Sequence, residues 1–184
     1  MAAQEELVGR RGRRSLSFLL AQMAKQNKED TMAAQELEML VRELKDREMI
    51  KELTHQYAHC VRQQDVEGVV NLFAEEGAVE MGSTVVQGRA ALRHFYAETL
   101  PKLGTPYDFL HNHVIRVQGE RATGVCSVEV RGVHGGKSVI GAGHYEDEYV
   151  RAGGEWKFQR RKIILYYLVR HEEGWAGEKV TVRL

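Results

Sequence analysis

Residues Glu48–Met81, EMIKELTHQYAHCVRQQDVEGVVNLFAEEGAVEM, decide how the rest of the chain folds. Ile50, Leu53, Tyr57, Cys60 and Val61 recur at helical spacing and make one apolar face. The helix breaks at Gln63–Gln64–Asp65. Asp65 can accept the free N–H groups of a second, short helix, in which Val66, Val69, Val70, Leu72 and Phe73 are the apolar residues. A strand follows after Gly77. Helix, break, helix and strand in this order set the architecture that the later segments must complete.

Working towards the N-terminus, Leu37, Leu40, Val41 and Leu44 continue the helical spacing, so helix starts near Asp30 or Thr31 and reaches Gln63, as one helix or as two joined near Asp46. Residues 1–29 carry six basic and three acidic groups without a long apolar period and read as a flexible basic arm. The run GRRGRRSLSFLLAQMA has the flavour of an export or transit signal. However, Glu5 and Glu6 precede it, and Lys25, Lys28 and Glu29 end it without a cleavage site. A helix this long in a small domain suggests that its early part packs on another subunit.

Towards the C-terminus, Gly88 precedes a helix whose inner face holds Ala91, Leu92, Phe95, Tyr96 and Leu100; Pro101 and Gly104 close it. Four strand-like runs follow: Tyr107–Gln118, Arg121–Arg131, Lys137–Arg151 and Glu155–Arg170. Hairpin-type junctions at Gly119–Glu120, Val133–Gly136 and Ala152–Gly154 separate them. Helices gathered first and strands last predict an α+β fold: a cone-shaped α+β barrel, with N-terminal helices packed on a strongly bent, mainly antiparallel sheet. Gly141 and Gly143 on one strand suit a bend or bulge. The domain is expected to span 30–170, leaving 171–184 as a tail in which KVTVRL could add an edge strand.

Composition narrows the function. At 184 residues the chain suffices for one domain plus an appendage, and 43% apolar and 28% charged residues are typical of a globular protein. A formal charge of zero argues against nucleic acid or an anionic membrane as partner. No apolar run approaches the roughly 20 residues that span a bilayer. Cys60 and Cys126 read as free thiols in a reducing, cytoplasmic setting.

Alternation along a strand puts Phe109, His111, His113, Ile115 and Val117 on one face, with two imidazoles on an otherwise apolar wall. A partly buried, neutral histidine can take a proton near neutral pH. If the first helix crosses the sheet, the Tyr57 hydroxyl meets the same cavity and can polarise a carbonyl while the imidazole removes an α-proton. Phe73, Phe95, Tyr145 and Tyr166 complete the expected substrate-binding set. His55 and His59 lie four apart on a helix, but no glutamate follows His55 as in HExxH; no metal or other cofactor is expected.

IKELTHQYAHCVRQQDVEGVVNLFAEEGAVE, VVQGRAALRHFY, LHNHVIRVQGERATGVC and GHYEDEYVRAGGEWKFQRRKI together resemble the SnoaL-like branch of the nuclear transport factor two-like superfamily, over about residues 46–170. The likeness is to the members grouped with scytalone dehydratase, bile-acid 7α-dehydratase and lindane dehydrochlorinase. It implies a site of a helix tyrosine, an aspartate shortly after it and a strand histidine as base. Carried over, these are Tyr57 and His111, with His113 as the alternative base. Five residues after Tyr57, where relatives carry the acid, this chain has Arg62; Glu80 or Asp147 could substitute. The resemblance implies a cofactor-independent lyase or isomerase of dehydratase type acting on a hydrophobic carbonyl compound such as a polyketide, steroid or terpenoid. It also implies a homodimer or homotrimer. The alternative from a different class is a non-catalytic binding or oligomerisation module with the same fold.

Overall fold

A computed structural model describes residues 2–104 and 106–176, with side chains from Leu16 onward. The possible edge strand in KVTVRL therefore lies outside the described residues, as do the side chains of the arginine cluster. The chain divides into two compact units, Met1–Leu44 and Lys45–Leu184. The first is helical, being the early part of helix α1 (Ala2–Gln63). The helix begins well before Asp30. Its Ala, Leu, Gln, Lys, Glu and Met residues favour helix intrinsically, so the helix does not need a long apolar period within 1–29 to form.

The second unit contains the last turns of α1, then α2 (Val66–Asn71), β1 (Phe73–Met81), β2 (Thr84–Gln87) and α3 (Arg89–Thr99). A 3-10 turn at Leu100–Leu103 leads to β3 (Tyr107–Gln118), β4 (Arg121–His134), β5 (Lys137–Ala152) and β6 (Glu155–Arg170). Asp65 caps α2 as its sequence suggests, with Gly68 N–H donating to its carboxylate at 2.8 Å. Gln64 takes a positive φ to make the break and anchors it by donating to the Gly104 carbonyl. Gly88, also at positive φ, begins α3.

The strands form one six-stranded sheet in the order β2-β1-β6-β5-β4-β3. All pairs are antiparallel except β1 with β6. The sheet is open, with β2 and β3 as its edges, and the expected α+β fold of N-terminal helices followed by a mainly antiparallel sheet is what the chain adopts. A register shift at Ala142/Gly143 supplies a bend where the two glycines suggested one. The core packs Ile50, Leu53, Tyr57 and Val61 of α1 with Val69 and Val70 of α2, Phe73 and Val79 of β1, and Leu92 and Tyr96 of α3. Against these lie Tyr149, Trp156 and Phe158 of the sheet. Full burial of such side chains stabilises by about 1.5–3 kcal/mol each.

Candidate active site

Strand β3 carries the decisive local feature. Leu110 pairs with Val128, but His113 pairs with Cys126, so His111 and Asn112 together oppose the single residue Ser127. This bulge reverses which side chains face inward. Asp108 and Leu110 face in before it, and His113, Ile115 and Val117 after it, while Phe109 and His111 are exposed. The expected wall carrying His111 beside His113 is thereby corrected: only His113 points into the domain. His111 sits 4.0 Å from Glu129, beyond hydrogen-bond reach.

A second bulge acts in β6. Tyr149 pairs with Phe158 and Glu148 with Arg160, so Gln159 is the extra residue. Alternation from Trp156 and Phe158 would turn Arg160 inward; the bulge turns Arg161 inward instead. Arg161 is fully buried and grips the buried carboxylate of Asp147 at two points, Nε to Oδ1 at 2.9 Å and a terminal nitrogen to Oδ2 at 2.7 Å. Its guanidinium lies 4.1 Å from the ring centres of Tyr57 and Phe158 and 4.2 Å from that of Tyr145. Electron-rich ring faces and a bidentate acid partner together replace the hydration that burial removes. Burial alone would lower the Arg161 pKa, but Asp147 holds it above its ordinary value, so the cation persists.

The Asp147 carboxylate organises the next groups. Tyr149 donates its hydroxyl proton to Asp147 at 2.8 Å. That oxygen then has only acceptor capacity left, so the His113 Nε2–H donates to it at 3.2 Å. This network places the imidazole proton on Nε2 and leaves a lone pair on Nδ1, which is buried without a hydrogen-bond partner. Burial pushes the His113 pKa down to about 4; the Asp147 charge opposes that shift, and Arg161, His55 and Lys51 add to it. The ring is therefore neutral at pH 7. Gly124 on β4 makes room for the pair: a Cβ there would lie 3.0 Å from His113 Nε2 and 3.1 Å from the Tyr149 hydroxyl.

The other expected site residues separate. Tyr57 is buried, with its hydroxyl 3.1 Å from that of Tyr96, and Phe73 packs on its edge. Phe95 lies partly buried against the same cluster. Tyr145 donates to Asp108 at 3.2 Å, and burial raises the Asp108 pKa. Tyr166 does not join them. It is the extra residue of the bulge at Ala142/Gly143, is exposed, and bonds His144 at 2.7 Å on the other face of the sheet. An open cleft of about 430 Å³ runs between the last turns of α1 and the start of β3. Its walls include His55, His59, Arg62, Asp108 and His111. His55 on that wall is close enough to bear on His113 electrostatically. Among the described residues no cluster of three His, Cys, Asp or Glu side chains is arranged to hold a metal ion. No described helix is long and apolar enough to cross a membrane.

Sequence reasoning missed Arg161, Tyr149, Asp108 and Tyr96. A weak signal existed for the first: Arg160 and Arg161 are consecutive on a strand, so their side chains leave opposite faces and both cannot lie on the outer one.

The SnoaL-like domain model matches residues 42–162. The chain belongs to the SnoaL-like domain family. Solved structures agree on the fold. A Mycobacterium tuberculosis protein of unknown function is 26% identical, with a TM-score of 0.65, covering 71% of this chain and 77% of its own. A nuclear transport factor two-like protein with a cystatin-like fold from Novosphingobium aromaticivorans is 25% identical, with a TM-score of 0.59, over 70% and 87% of the two chains. Hexachlorocyclohexane dehydrochlorinase LinA-type3 from Novosphingobium barchaimii is 18% identical, with a TM-score of 0.65, over 77% and 97%. No protein of curated function matches the chain in a sequence search. This SnoaL-like member therefore shares its fold with a dehydrochlorinase while holding Arg62 on the helix face bordering the cleft.

Proposed function

We propose that this SnoaL-like domain is a cofactor-independent lyase or isomerase of dehydratase type, acting on a small hydrophobic carbonyl compound with His113 as general base. One observation carries the reading: a neutral imidazole, fixed in one tautomer by Tyr149 and Asp147, keeps its free lone pair inside the domain. In such a role Nδ1 removes the proton α to the carbonyl. The imidazolium that forms is stabilised through Tyr149 by the Asp147 carboxylate, a positioning task normally given to a directly bonded acid. Asp147 does not need to move, because Arg161 already holds it. The cleft beside His55 stops short of His113, so entry of substrate requires the last turns of α1 or the start of β3 to move; its apolar wall at Leu110 and Phe109 suits a hydrophobic body. Family membership and a dehydrochlorinase of the same fold support the reaction class.

A second reading, a binding module, draws on the filled interior around Tyr57, whose hydroxyl is spent on Tyr96. Hydrogen–deuterium exchange at the α-carbon of 2-tetralone in D2O, followed by NMR, separates the two. The enzyme reading expects catalysed exchange that falls about 10²–10⁴-fold in His113→Ala while the variant stays folded. Binding of the ketone without any exchange above buffer, in the wild-type protein, would leave the module.

A further inference from the structure

The unit Met1–Leu44 presents an apolar seam that the domain's chemistry does not use. Positions 16, 20, 23, 27, 30, 34, 37, 41 and 44 follow the alternating four- and three-residue spacing of a heptad repeat on the continuous helix α1. They hold Leu16, Leu20, Met23, Asn27, Asp30, Ala34, Leu37, Val41 and Leu44. Among these Leu16, Leu20, Met23, Leu37, Val41 and Leu44 are each more than half exposed. The repeat stops at Leu44, since the next two positions are Glu48 and Lys51. A seam of four heptads is about 42 Å long at the helical rise, and water is a poor solvent for it.

We infer that residues 16–44 pair with the same segment of a second copy as an antiparallel coiled coil. Two features choose this occupant and this direction. Of the nine seam positions only the fourth and fifth, Asn27 and Asp30, are polar. In an antiparallel pair that sets Asn27 against the partner copy's position 30, the layers become 20 with 37, 16 with 41 and 23 with 34, all apolar. The Asn27 amide then donates to a carboxylate, twice by symmetry. A parallel pair in register would instead set Asp30 against its own copy, two like charges across a dry seam. Charge along the helix points the same way. Residues 16–28 carry Lys25 and Lys28 and no acid, whereas 29–44 carry Glu29, Asp30, Glu36, Glu38 and Glu43 against Arg42 alone. Antiparallel pairing brings the basic part against the acidic part; parallel pairing stacks acid on acid. A buried polar pair at the centre also fixes the register that the flanking leucines alone would leave free to slide.

The test uses the full chain. Sedimentation equilibrium of the wild type is expected to give a dimer at micromolar concentration, and Leu20→Glu/Leu37→Glu is expected to raise the dissociation constant at least 100-fold. An unchanged near-ultraviolet circular dichroism spectrum, to which the buried Trp156 contributes, shows that the domain is still folded in that variant. Direction is read by mild oxidation of cysteine variants, with the wild type as control for Cys60 and Cys126. Mixing Leu20→Cys with Leu37→Cys is expected to give the cross-linked heterodimer, and Leu20→Cys alone to give none. A monomeric wild type, an oligomer insensitive to the double substitution, or efficient cross-linking of Leu20→Cys to itself overturns the proposal.

Discussion

Arg160 and Arg161 are consecutive in β6, yet they occupy opposite environments. Arg160 is 45% exposed on the outer face, where it meets Glu80 and Glu148 and shares Glu80 with Lys162. Arg161 is wholly buried, sealed by three aromatic rings and bound to one acid. The outer ion pairs exchange water for partners that water can replace. The inner pair has no such substitute, and the groups around it, Tyr149 and through it His113, take their positions from Asp147. The same chemical pair is thus interchangeable on one face and structural on the other.

The largest way to break this contrast is Arg161→Met. It leaves the Asp147 carboxylate buried and uncompensated, and a loss of about 3–5 kcal/mol in denaturant stability is expected. Arg161→Met/Asp147→Leu is expected to recover much of that loss, because no charge then remains inside, while abolishing catalysed exchange by removing the group that orients Tyr149. If the double variant were no more stable than the single one, charge burial would not be the cause. Next comes Gly124→Ala, whose added methyl crowds the His113–Tyr149 hydrogen bond; overpacking of about 1–3 kcal/mol is expected in thermal or urea unfolding.

Titration sharpens the contrast further. An unfolded imidazole takes its proton near pH 6.5, whereas His113 in the folded chain takes it only near 4. Between these values the unfolded state binds more protons. The His113 contribution to stability is therefore complete above about pH 6.5 and is lost as pH falls towards 4. Urea midpoints measured from pH 7 to 4 should fall more steeply in the wild type than in His113→Phe. Catalysed exchange should also keep its rate down to an acid limb near pH 4, since the base works only when neutral. The smallest effect belongs to the exposed neighbour: Arg160→Ala is expected to leave the urea midpoint nearly unchanged, with any shift shrinking further in high salt.

Much of the fold was legible in the sequence. β3 and β6 run over the predicted residues, and the break at Gln64, the cap at Asp65 and the start of α3 at Gly88 follow from local backbone chemistry. Glycine pairs and a period of two are short-range signals, so a reader of sequence can use them. The site was less legible because its composition depends on bulges, and one extra residue leaves the alternation intact on either side. His111 looked equivalent to His113 for that reason. Arg161 was hidden by charge, since a run of Arg160, Arg161 and Lys162 suggests solvent until a buried acid is known to face it. Asp147 could be named as a possible partner acid, but its connection to the imidazole through Tyr149 needed the register of β4 with β5. The start of α1 was missed because helix propensity, and not an apolar face, sustains its first turns.

The bulge at His111–Asn112 has a consequence for how such a site can change over generations. A strand is read in two frames, and an added residue switches the frame on one side of it unless a bulge takes that residue up. Losing either His111 or Asn112 would restore plain alternation and leave Asp108, Leu110 and His113 all facing inward, whereas flattening the bulge with both residues kept would withdraw Asp108 and Leu110 and bring Phe109 in. The strand can therefore gain or lose a residue at this point without exchanging the lining of the pocket.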